Sequence, residues 1–495
     1  MAEDKIRLQY SGLLFFASNV ISVVTATAYM LIVANTLSTT DYGALGRLNL
    51  LLPAFMMLGT MIPFWTLRFV ARKKEGAAKT GLLASLIVGV LAAAVYLMLF
   101  PLVIPAYALG AYIVPYLLMA VQIAETYVVG GAEACIQAQR PHLLSYGMLI
   151  LEVTPLPLAY ILILRMQLGV LGVFLAVLPS ISLKLAFYFK VLQREIRQKV
   201  NLSYMREWIK GSAFTFYNAV GNQLTLIPLI ALGIYGGSGA VSGAGYYYAS
   251  AQIATLVGYS SALAIALYPK LLAENKTDDA STALRLVLMF AIPMLAGVLA
   301  MPAALLLFLK GNGAYSVAAP ILCVLAADAF VVVLIGIFTS VLYGVEQVDA
   351  AEINLRKVAK SSLFFAFSLP YIQAAVSVPA TFAVLWGLAQ RTPLNVALYL
   401  SAVTLAGHLV AFSFLCGVLH RRVKLKISWP SICKYLLAAG LMAAVIYLMH
   451  PARRLAALPM VGVGAVTYFG VLFLIDSPFR KLLRTAASKI KSRSS

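Results

Sequence analysis

The chain has 495 residues, of which 62% are hydrophobic and only 11% are charged. Soluble domains carry roughly 25% charged residues, so this composition excludes a water-soluble protein and predicts an all-α, multi-pass membrane protein. The formal net charge of +21 would indicate nucleic-acid binding in a soluble protein. Here the basic residues flank apolar segments, so we expect them to face the anionic headgroups of membrane lipids, and we expect no nucleic-acid partner.

The apolar segments are long enough to be membrane-spanning helices. A helix needs about 20 apolar residues to cross the hydrocarbon core, and by that measure the sequence predicts about fourteen transmembrane helices. Their approximate spans are 10–37, 42–70, 81–105, 111–137, 143–164, 168–190, 212–235, 241–269, 283–308, 315–343, 361–388, 393–417, 431–449 and 456–475.

A short polar break, NTLSTTDYGALGRLN (35–49), separates the first two spans. Its Ser, Thr and Asp side chains, from Ser38 to Asp41, can accept hydrogen bonds from free backbone N–H groups at a helix start. The break therefore predicts a tight turn. Arg47 follows about one and a half turns into the second helix, from where its side chain can reach back to the membrane interface.

Strongly basic loops alternate along the sequence with loops that carry little charge. Basic residues concentrate in cytoplasmic loops of membrane proteins. With a cytoplasmic N-terminus, the basic clusters at 71–80, 191–210, 352–360 and 420–426 and the tail 479–495 fall on one side, and HPARR (450–454) is the exception. The pattern predicts a protein of the plasma (inner) membrane with both termini in the cytoplasm.

A faint internal repeat divides the spans into six, six and two. Each half opens with a helix that carries asparagine near mid-depth, followed by a short polar or glycine-rich turn. Six spans per half give both halves the same orientation, as in parallel transporter repeats. The predicted domains are a first lobe (1–205), a second lobe (206–426) and an appended helix pair with a basic tail (427–495).

Four segments in succession carry a resemblance to a known family: ANTLSTTDYGALGRLNLL, FWTLRFVARKKEG, ALYPKLLAE and AYSVAAPILCVLAADAFVVVLIGIFTSVLYGVEQ. Together they resemble the polysaccharide-biosynthesis flippases of the multidrug/oligosaccharidyl-lipid/polysaccharide exporter superfamily. The resemblance covers most of the chain. It implies a V-shaped pair of six-helix bundles around a central cavity, and transport of polyprenyl-pyrophosphate-linked glycans from the cytoplasmic to the outer leaflet. By analogy it also implies polysaccharide assembly enzymes as partners, with no cofactor.

Polar residues inside the predicted spans are the candidate functional residues, because ionisable groups in hydrocarbon are costly and are retained mostly for function. A pyrophosphate-linked sugar would need cations for phosphate and polar groups for sugar hydroxyls. The candidate substrate-binding residues are Arg47, Arg68, Arg140, Lys184, Asn19, Asn218 and Asn222. The alternative for Arg68 and Arg140 is a role in setting topology, and for Arg47 it is an interfacial anchor.

The buried carboxylates suggest ion coupling. Burial makes a carboxyl group easier to protonate, so these residues are candidates for coupling transport to a Na+ or H+ gradient. They are Glu125, Glu133, Glu152 and Asp328. The alternative is structural, either an ion pair such as Glu152 with Lys184 or a hydrogen bond in helix packing. His408 is interpreted as a packing residue. The four cysteines predict neither a disulfide framework nor a metal site.

Several other functions remain open. A multidrug or organic-cation exporter of the same superfamily is the nearest alternative, and a lipid II-type flippase is not separable by sequence. A membrane glycosyltransferase or polymerase is disfavoured, because the predicted outer loops are short and no nucleophile–base set or nucleotide motif is present. The sequence therefore predicts a transporter that is not an enzyme.

Overall fold

The computed structural model describes residues 8–106, 110–235, 240–274, 278–310, 313–346, 355–387, 392–423, 427–449 and 457–480. Within these ranges the regular secondary structure is entirely helical. The α-helices of the first part of the chain are α1 (Leu8–Thr36), α2 (Thr39–Met56), α3 (Met61–Ala71), α4 (Ala77–Met98), α5 (Phe100–Ala106), α6 (Ile113–Gln139), α7 (Leu143–Val153), α8 (Pro155–Ala159), α9 (Gly169–Val191), α10 (Gln193–Ile196) and α11 (Leu202–Leu224).

The second part continues with α12 (Ile227–Tyr235), α13 (Ala240–Gly258), α14 (Leu267–Glu274), α15 (Asp278–Ala300), α16 (Pro302–Lys310), α17 (Ala319–Val345), α18 (Leu355–Ala359), α19 (Ser362–Gly387), α20 (Pro393–Arg422), α21 (Trp429–Leu448) and α22 (Ala457–Ile475). Short 3-10 turns cover Met57–Thr60, Gly110–Tyr112, Tyr259–Ala264 and Gly313–Ala318. A π-helical turn covers Tyr160–Arg165.

Eleven of the described helices are long and apolar enough to cross a membrane. The prediction of an all-α, multi-pass membrane protein is therefore confirmed. The three remaining predicted spans are built differently. Span 42–70 is broken by a 3-10 turn between α2 and α3, span 212–235 is divided between α11 and α12, and the apolar part of the last span, Pro459–Ile475, is shorter than the others.

The chain forms two compact units. Unit 1 consists of Met1–Val220, Ile265–Lys276 and Val341–Ser368. Unit 2 consists of Gly221–Ala264, Thr277–Ser340 and Leu369–Ser495. Unit 1 therefore combines the first predicted lobe with three stretches of the second.

The tight turn predicted after the first span is confirmed. Ser38 is the N-cap of α2, and its hydroxyl oxygen accepts a hydrogen bond of 3.1 Å from the backbone N–H of Asp41. The Asp41 carboxylate in turn accepts hydrogen bonds from the Ser38 hydroxyl at 2.8 Å and from Tyr112 at 2.8 Å. The cap therefore ends one helix and begins the next within three residues.

The predicted basic loop 191–210 is wrong in part, because α10 and the first turns of α11 lie within it. Trp208 of α11 is completely buried and packs edge-on against Phe69 of α3, with ring centroids 5.4 Å apart. Tyr204 also packs against Phe69, at 5.2 Å. Burial of these rings stabilises helical structure where the charges alone predict a loop.

Small residues allow close helix packing in unit 1. A Cβ atom added to Gly89 of α4 would lie 2.7 Å from the Cβ of Tyr127 on α6, and one added to Gly131 of α6 would lie 2.5 Å from the Ser85 hydroxyl of α4. Membrane helices lack a hydrophobic driving force between them, so close contact between small residues contributes much of their association.

In unit 2, the appended helix pair packs against α15. The Tyr468 hydroxyl of α22 donates a 2.7 Å hydrogen bond to the carbonyl of Met289. At the end of α22, the buried Asp476 accepts a hydrogen bond from the backbone N–H of Phe479 at 3.2 Å and one from Lys434 of α21 at 3.4 Å. These polar contacts fix the pair within unit 2.

Replacement of Gly147 on α7 by alanine should destabilise the protein. An added Cβ atom would overlap the phenol of Tyr188, which is itself completely buried. Such overpacking costs about 1–3 kcal/mol, so we expect a lower midpoint in a thermal-unfolding assay of the purified protein in detergent.

The matched control is Gly440→Ala on α21, where an added Cβ meets no atom within 4 Å. Alanine favours a helix more than glycine does, so this variant should keep or slightly raise the unfolding midpoint. Equal midpoints for the two variants would contradict the steric argument.

Candidate functional site

A charged cluster lies between three membrane helices of unit 1. The Lys184 ammonium of α9 is 2.7 Å from Oε1 of Glu133 on α6, and the Lys184 side chain is only 7% exposed. The Tyr188 hydroxyl, one turn further along α9, donates a 3.3 Å hydrogen bond to the same carboxylate oxygen. Glu152 of α7 interacts electrostatically with Lys184. One lysine thus interacts with two carboxylates, and only Glu133 is in direct contact with it.

Glu152 is the ion-pair partner of Lys184 that the sequence suggests, but the direct contact of Lys184 is with Glu133. Tyr188 is not among the predicted residues, although the sequence holds a signal for it. Residues four apart share a face of a helix, so Tyr188 points to the same side of α9 as Lys184.

A second carboxylate of α6 lies beside the cluster. Glu125 is eight residues before Glu133, and this spacing places both on one face of the helix. Oε1 of Glu125 accepts a 2.6 Å hydrogen bond from the Ser182 hydroxyl of α9. Its Oε2 is buried without a hydrogen-bond partner among the described residues.

Arg68, near the end of α3, is enclosed by segments from later in the sequence. The side chain is completely buried. Its Nη1 donates a 2.6 Å hydrogen bond to the carbonyl of Tyr343, and its Nη2 donates one of 2.6 Å to the carbonyl of Glu346. Nη1 also lies 3.4 Å from the Tyr268 hydroxyl. We call these four residues the Arg68 clasp, and all of them belong to unit 1.

The clasp satisfies the end of a helix. The last carbonyl groups of an α-helix have no partner within that helix, and they carry the negative end of the helix dipole. The Tyr343 and Glu346 carbonyls occupy this position at the end of α17. The guanidinium group therefore supplies both hydrogen bonds and a compensating positive charge.

Neighbouring contacts in unit 1 repeat the pattern of side-chain amides bonded to backbone carbonyls. Gln137 donates a 3.2 Å hydrogen bond to the carbonyl of Ile265, and Asn218 donates one of 3.1 Å to the carbonyl of Phe367. The ring of Phe64 packs edge-on against that of Phe367 at 5.2 Å. Residues far apart in the sequence are thus joined around Arg68.

The other predicted substrate-binding residues are placed as follows. Asn19 is buried and donates a 2.8 Å hydrogen bond to the Phe15 carbonyl of its own helix. Arg140 follows the last residue of α6, and its backbone N–H bonds the Ile136 carbonyl at 2.7 Å. Asn222 is exposed. Arg47 lies in α2, but its side chain is outside the described part of the structure.

A further ionisable pair lies in unit 2. Nδ1 of His408 on α20 is 2.6 Å from Oδ1 of Asp328 on α17. His408, predicted to be a packing residue, has a carboxylate partner for its ring. Among the described residues, no group of three or more His, Cys, Asp and Glu residues is arranged to hold a metal ion.

The comparisons with known proteins identify the fold. Neither a protein-family model nor a curated protein sequence matches this chain. Solved structures match it over most of its length. A mutant of the Vibrio cholerae MATE transporter VcmN is 14% identical, with a TM-score of 0.64 over 85% of this chain and 97% of that one.

The chain has the fold of the MATE transporters. A MOP superfamily transporter from Pyrococcus furiosus, described as having a binding pocket of reverse polarity that suggests a different function, is 13% identical with a TM-score of 0.66 over 83% of this chain and 95% of that one. A multidrug resistance MATE family transporter of the MOP superfamily, in an outward-facing conformation, is 13% identical with a TM-score of 0.65 over 84% and 95%.

Replacement of Arg68 by lysine should loosen the end of α17. An ammonium group lacks the planar fork that donates to two carbonyls at once, and the loss of one hydrogen bond to a charged group costs about 1.5–3 kcal/mol. We expect hydrogen–deuterium exchange of the amides in residues 341–345 to accelerate about tenfold or more, since 1.4 kcal/mol corresponds to a factor of ten.

The control is Arg165→Lys. Arg165 donates hydrogen bonds only locally among those described, to the Tyr160 hydroxyl at 2.8 and 3.1 Å. This variant should leave exchange at 341–345 unchanged. Unchanged exchange in the Arg68 variant would show that the clasp does not stabilise the helix end.

Proposed function

We propose that the protein is a secondary transporter that exports organic cations by alternating access, driven by a gradient of Na+ or H+. The fold shared with MATE transporters supports a transport function. The observation that carries the choice of substrate is the excess of carboxylates over cations in α6, α7 and α9, away from the helix ends. The carboxylates are those of Glu125, Glu133 and Glu152. The cation is Lys184, which directly contacts only Glu133.

This charge balance favours cations. A buried ionised group is stable only when it is paired or hydrogen-bonded. Lys184 and the hydroxyl groups of Ser182 and Tyr188 compensate part of the negative charge. An organic cation or a coupling ion would compensate the remainder, whereas a pyrophosphate would meet carboxylates of its own sign.

The Arg68 clasp fits a transporter that changes conformation. Its acceptors are main-chain carbonyls rather than a carboxylate, so separation leaves no unpaired buried anion. Arg68 is three residues from the end of α3 that the charge pattern predicts to be cytoplasmic. We propose that the clasp opens towards the cytoplasm during transport.

A second candidate is the flipping of polyprenyl-pyrophosphate-linked glycans. It is favoured by the succession of sequence segments that resemble polysaccharide flippases, and by the cationic residues Arg47, Arg68, Arg140 and Lys184. In this case Arg68 would bind phosphate only after the clasp opens, and Asn19, Asn218 and Asn222 would meet the sugar. Polysaccharide assembly enzymes would then be partners.

For both candidates we propose a location in the plasma (inner) membrane, with both termini in the cytoplasm. The support is the distribution of basic residues between the predicted loops. The HPARR segment (450–454) and the basic tail beyond residue 480 lie outside the described residues.

Export can be tested in proteoliposomes with ethidium as the cationic substrate and an imposed Na+ or H+ gradient. The Glu152→Gln variant removes one negative charge without changing side-chain size. Because an interaction with a charged group contributes about 1.5–3 kcal/mol, we expect the initial rate to fall roughly 10- to 100-fold.

The matched control is Glu75→Gln, in the exposed turn between α3 and α4, which should transport ethidium at the wild-type rate. In parallel, the same vesicles should be loaded with a fluorescent polyprenyl-pyrophosphate oligosaccharide, and its outer-leaflet exposure followed by quenching. Protein-dependent flipping without ethidium transport would overturn the export proposal in favour of the second candidate.

A further inference from the structure

We propose that unit 1 carries a binding surface for the headgroups of anionic phospholipids, on the side that the charge pattern predicts to be cytoplasmic. The surface is formed by the end of α9, by α10 and by the first turns of α11. We call it the basic platform, and it consists of Lys190, Arg194, Arg197, Lys199, Arg206 and Lys210. The inference goes beyond the proposed function, because it does not depend on which substrate is transported.

One side of the platform segment is anchored in the core of unit 1. Leu192 and Trp208 are buried in a hydrophobic cluster of this unit, and Ile196 and Tyr204 pack against the same cluster. Leu192 and Ile196 are four residues apart, as are Tyr204 and Trp208, so each pair shares one helix face. The opposite faces of α10 and of the start of α11 are left for charged residues.

Two hydrogen bonds hold the connection between α10 and α11 in place. The side-chain oxygen Oε1 of Gln198 accepts a 2.7 Å hydrogen bond from the backbone N–H of Gly76. The backbone N–H of Asn201 donates a 2.9 Å hydrogen bond to the Thr80 hydroxyl. Both partners belong to the start of α4. A connection held in this way positions its charges before a ligand arrives, which lowers the entropic cost of binding.

The platform presents positive charge that the protein does not compensate. All six basic residues are exposed, and among the residues that the structure describes none of the six has a side-chain hydrogen bond or an ion pair. The two carboxylates of the same segment face inward, since one oxygen of Glu195 and one of Glu207 are completely buried. The exposed charge of the segment is therefore entirely positive, and it is complementary to an anion.

Other basic segments of unit 1 differ in this respect. After α3, the side chains of Arg72, Lys73 and Lys74 take part in interactions within the protein. The same holds for Arg356 and Lys357 of α18. These cations are engaged by the protein itself, whereas those of the basic platform are available for a ligand.

Exposed apolar residues place the platform at the membrane surface. On one face of α11, Leu202, Ile209 and Phe216 recur every seven residues and are 69%, 62% and 41% exposed. Arg206 lies on this face one turn before Ile209, and Lys210 follows directly after it. A face that combines apolar and basic residues is typical of a helix at the membrane interface. The long basic side chains can extend from there to the headgroups while their stems cover apolar surface.

The end of α9 has the same arrangement, because the exposed Leu183 is followed seven residues later, on the same face, by the exposed Lys190. A phospholipid at the platform can thus place its phosphate against the cations and its acyl chains against the apolar residues. Arginine suits this role, since its planar fork donates two hydrogen bonds to phosphate. A zwitterionic headgroup brings an ammonium group that the platform repels, so the surface selects anionic lipids.

The experiment measures the binding of lipid to the full-length protein in detergent by native mass spectrometry. Phosphatidylglycerol and phosphatidylcholine with identical acyl chains are titrated separately, and we expect phosphatidylglycerol to bind more tightly. The double variant Arg194→Gln/Arg197→Gln should weaken phosphatidylglycerol binding roughly 30-fold, because each basic residue near an anionic surface contributes roughly a factor of five. Binding of phosphatidylcholine should not change.

The matched control is Arg421→Gln/Arg422→Gln, the same chemical change at two exposed residues in the last turn of α20. It should leave the dissociation constant of phosphatidylglycerol unchanged. An equal loss in the two double variants would overturn the proposal, as would equal binding of the two lipids by the wild-type protein. Displacement of phosphatidylglycerol by excess glycerol phosphate would also overturn it, because it would assign the surface to soluble anions.

A second measurement locates the site without any substitution. Hydrogen–deuterium exchange of the wild-type protein is compared in nanodiscs of phosphatidylcholine with and without phosphatidylglycerol. We expect the anionic lipid to slow exchange of the amides in residues 193–206 and to leave residues 429–448 of α21 unchanged. Unchanged exchange at 193–206 would contradict the proposal. This measurement decides the question if the unfolding midpoint of the Arg194→Gln/Arg197→Gln variant in lipid-free detergent falls below that of the wild type.

Discussion

The burial of the Arg68 guanidinium against the end of α17 is the interaction on which the organisation of unit 1 depends. A positive charge without water must be compensated, and the free carbonyl groups of a helix end must also be satisfied where water is scarce. The guanidinium group and the helix-end carbonyl groups satisfy each other through two hydrogen bonds of 2.6 Å. The result ties α3, from the start of the chain, to residues more than 270 positions later.

The same rule applies to several other charged groups of the membrane helices. Lys184 lies against Glu133, Glu125 accepts from Ser182, and Asp328 contacts His408. The compensation differs in kind. Arg68 is compensated by main-chain dipoles, Lys184 by a carboxylate, and Asp328 by contact with an imidazole ring.

Much of the fold could be predicted from the sequence, because the thickness of the hydrocarbon core fixes helix length. The N-cap at Ser38 followed from local chemistry alone. The helical start of α11 did not follow from local chemistry, because it is stabilised by the contact of Trp208 with Phe69, a residue of another helix. The division of the second span also escaped prediction. Pro53 lies inside α2 without ending it, and the break comes at Met57–Thr60.

The sequence singles out Glu133, Lys184 and Asp328 as candidate residues, but it does not predict which residues pair with them. Helical periodicity placed Glu125 and Glu133 on one face of α6. Which carboxylate meets Lys184 depends on how far α9 is shifted along α6, and that shift is set by packing between helices. The contact between His408 and Asp328 could not be predicted for the same reason, since the two residues are 80 positions apart in the sequence. The fold is shared with MATE transporters, so the substrate is determined by such side-chain contacts rather than by the fold.

One glycine links the steric fit of unit 1 to its charge distribution. Gly147 leaves just enough space for the phenol of Tyr188, whose hydroxyl bonds the carboxylate that holds Lys184. A larger residue at position 147 is compatible only with a smaller one at position 188, and that exchange removes the hydroxyl from the ion pair. In homologous chains the two positions should therefore covary, and the residue that faces Lys184 should change with them.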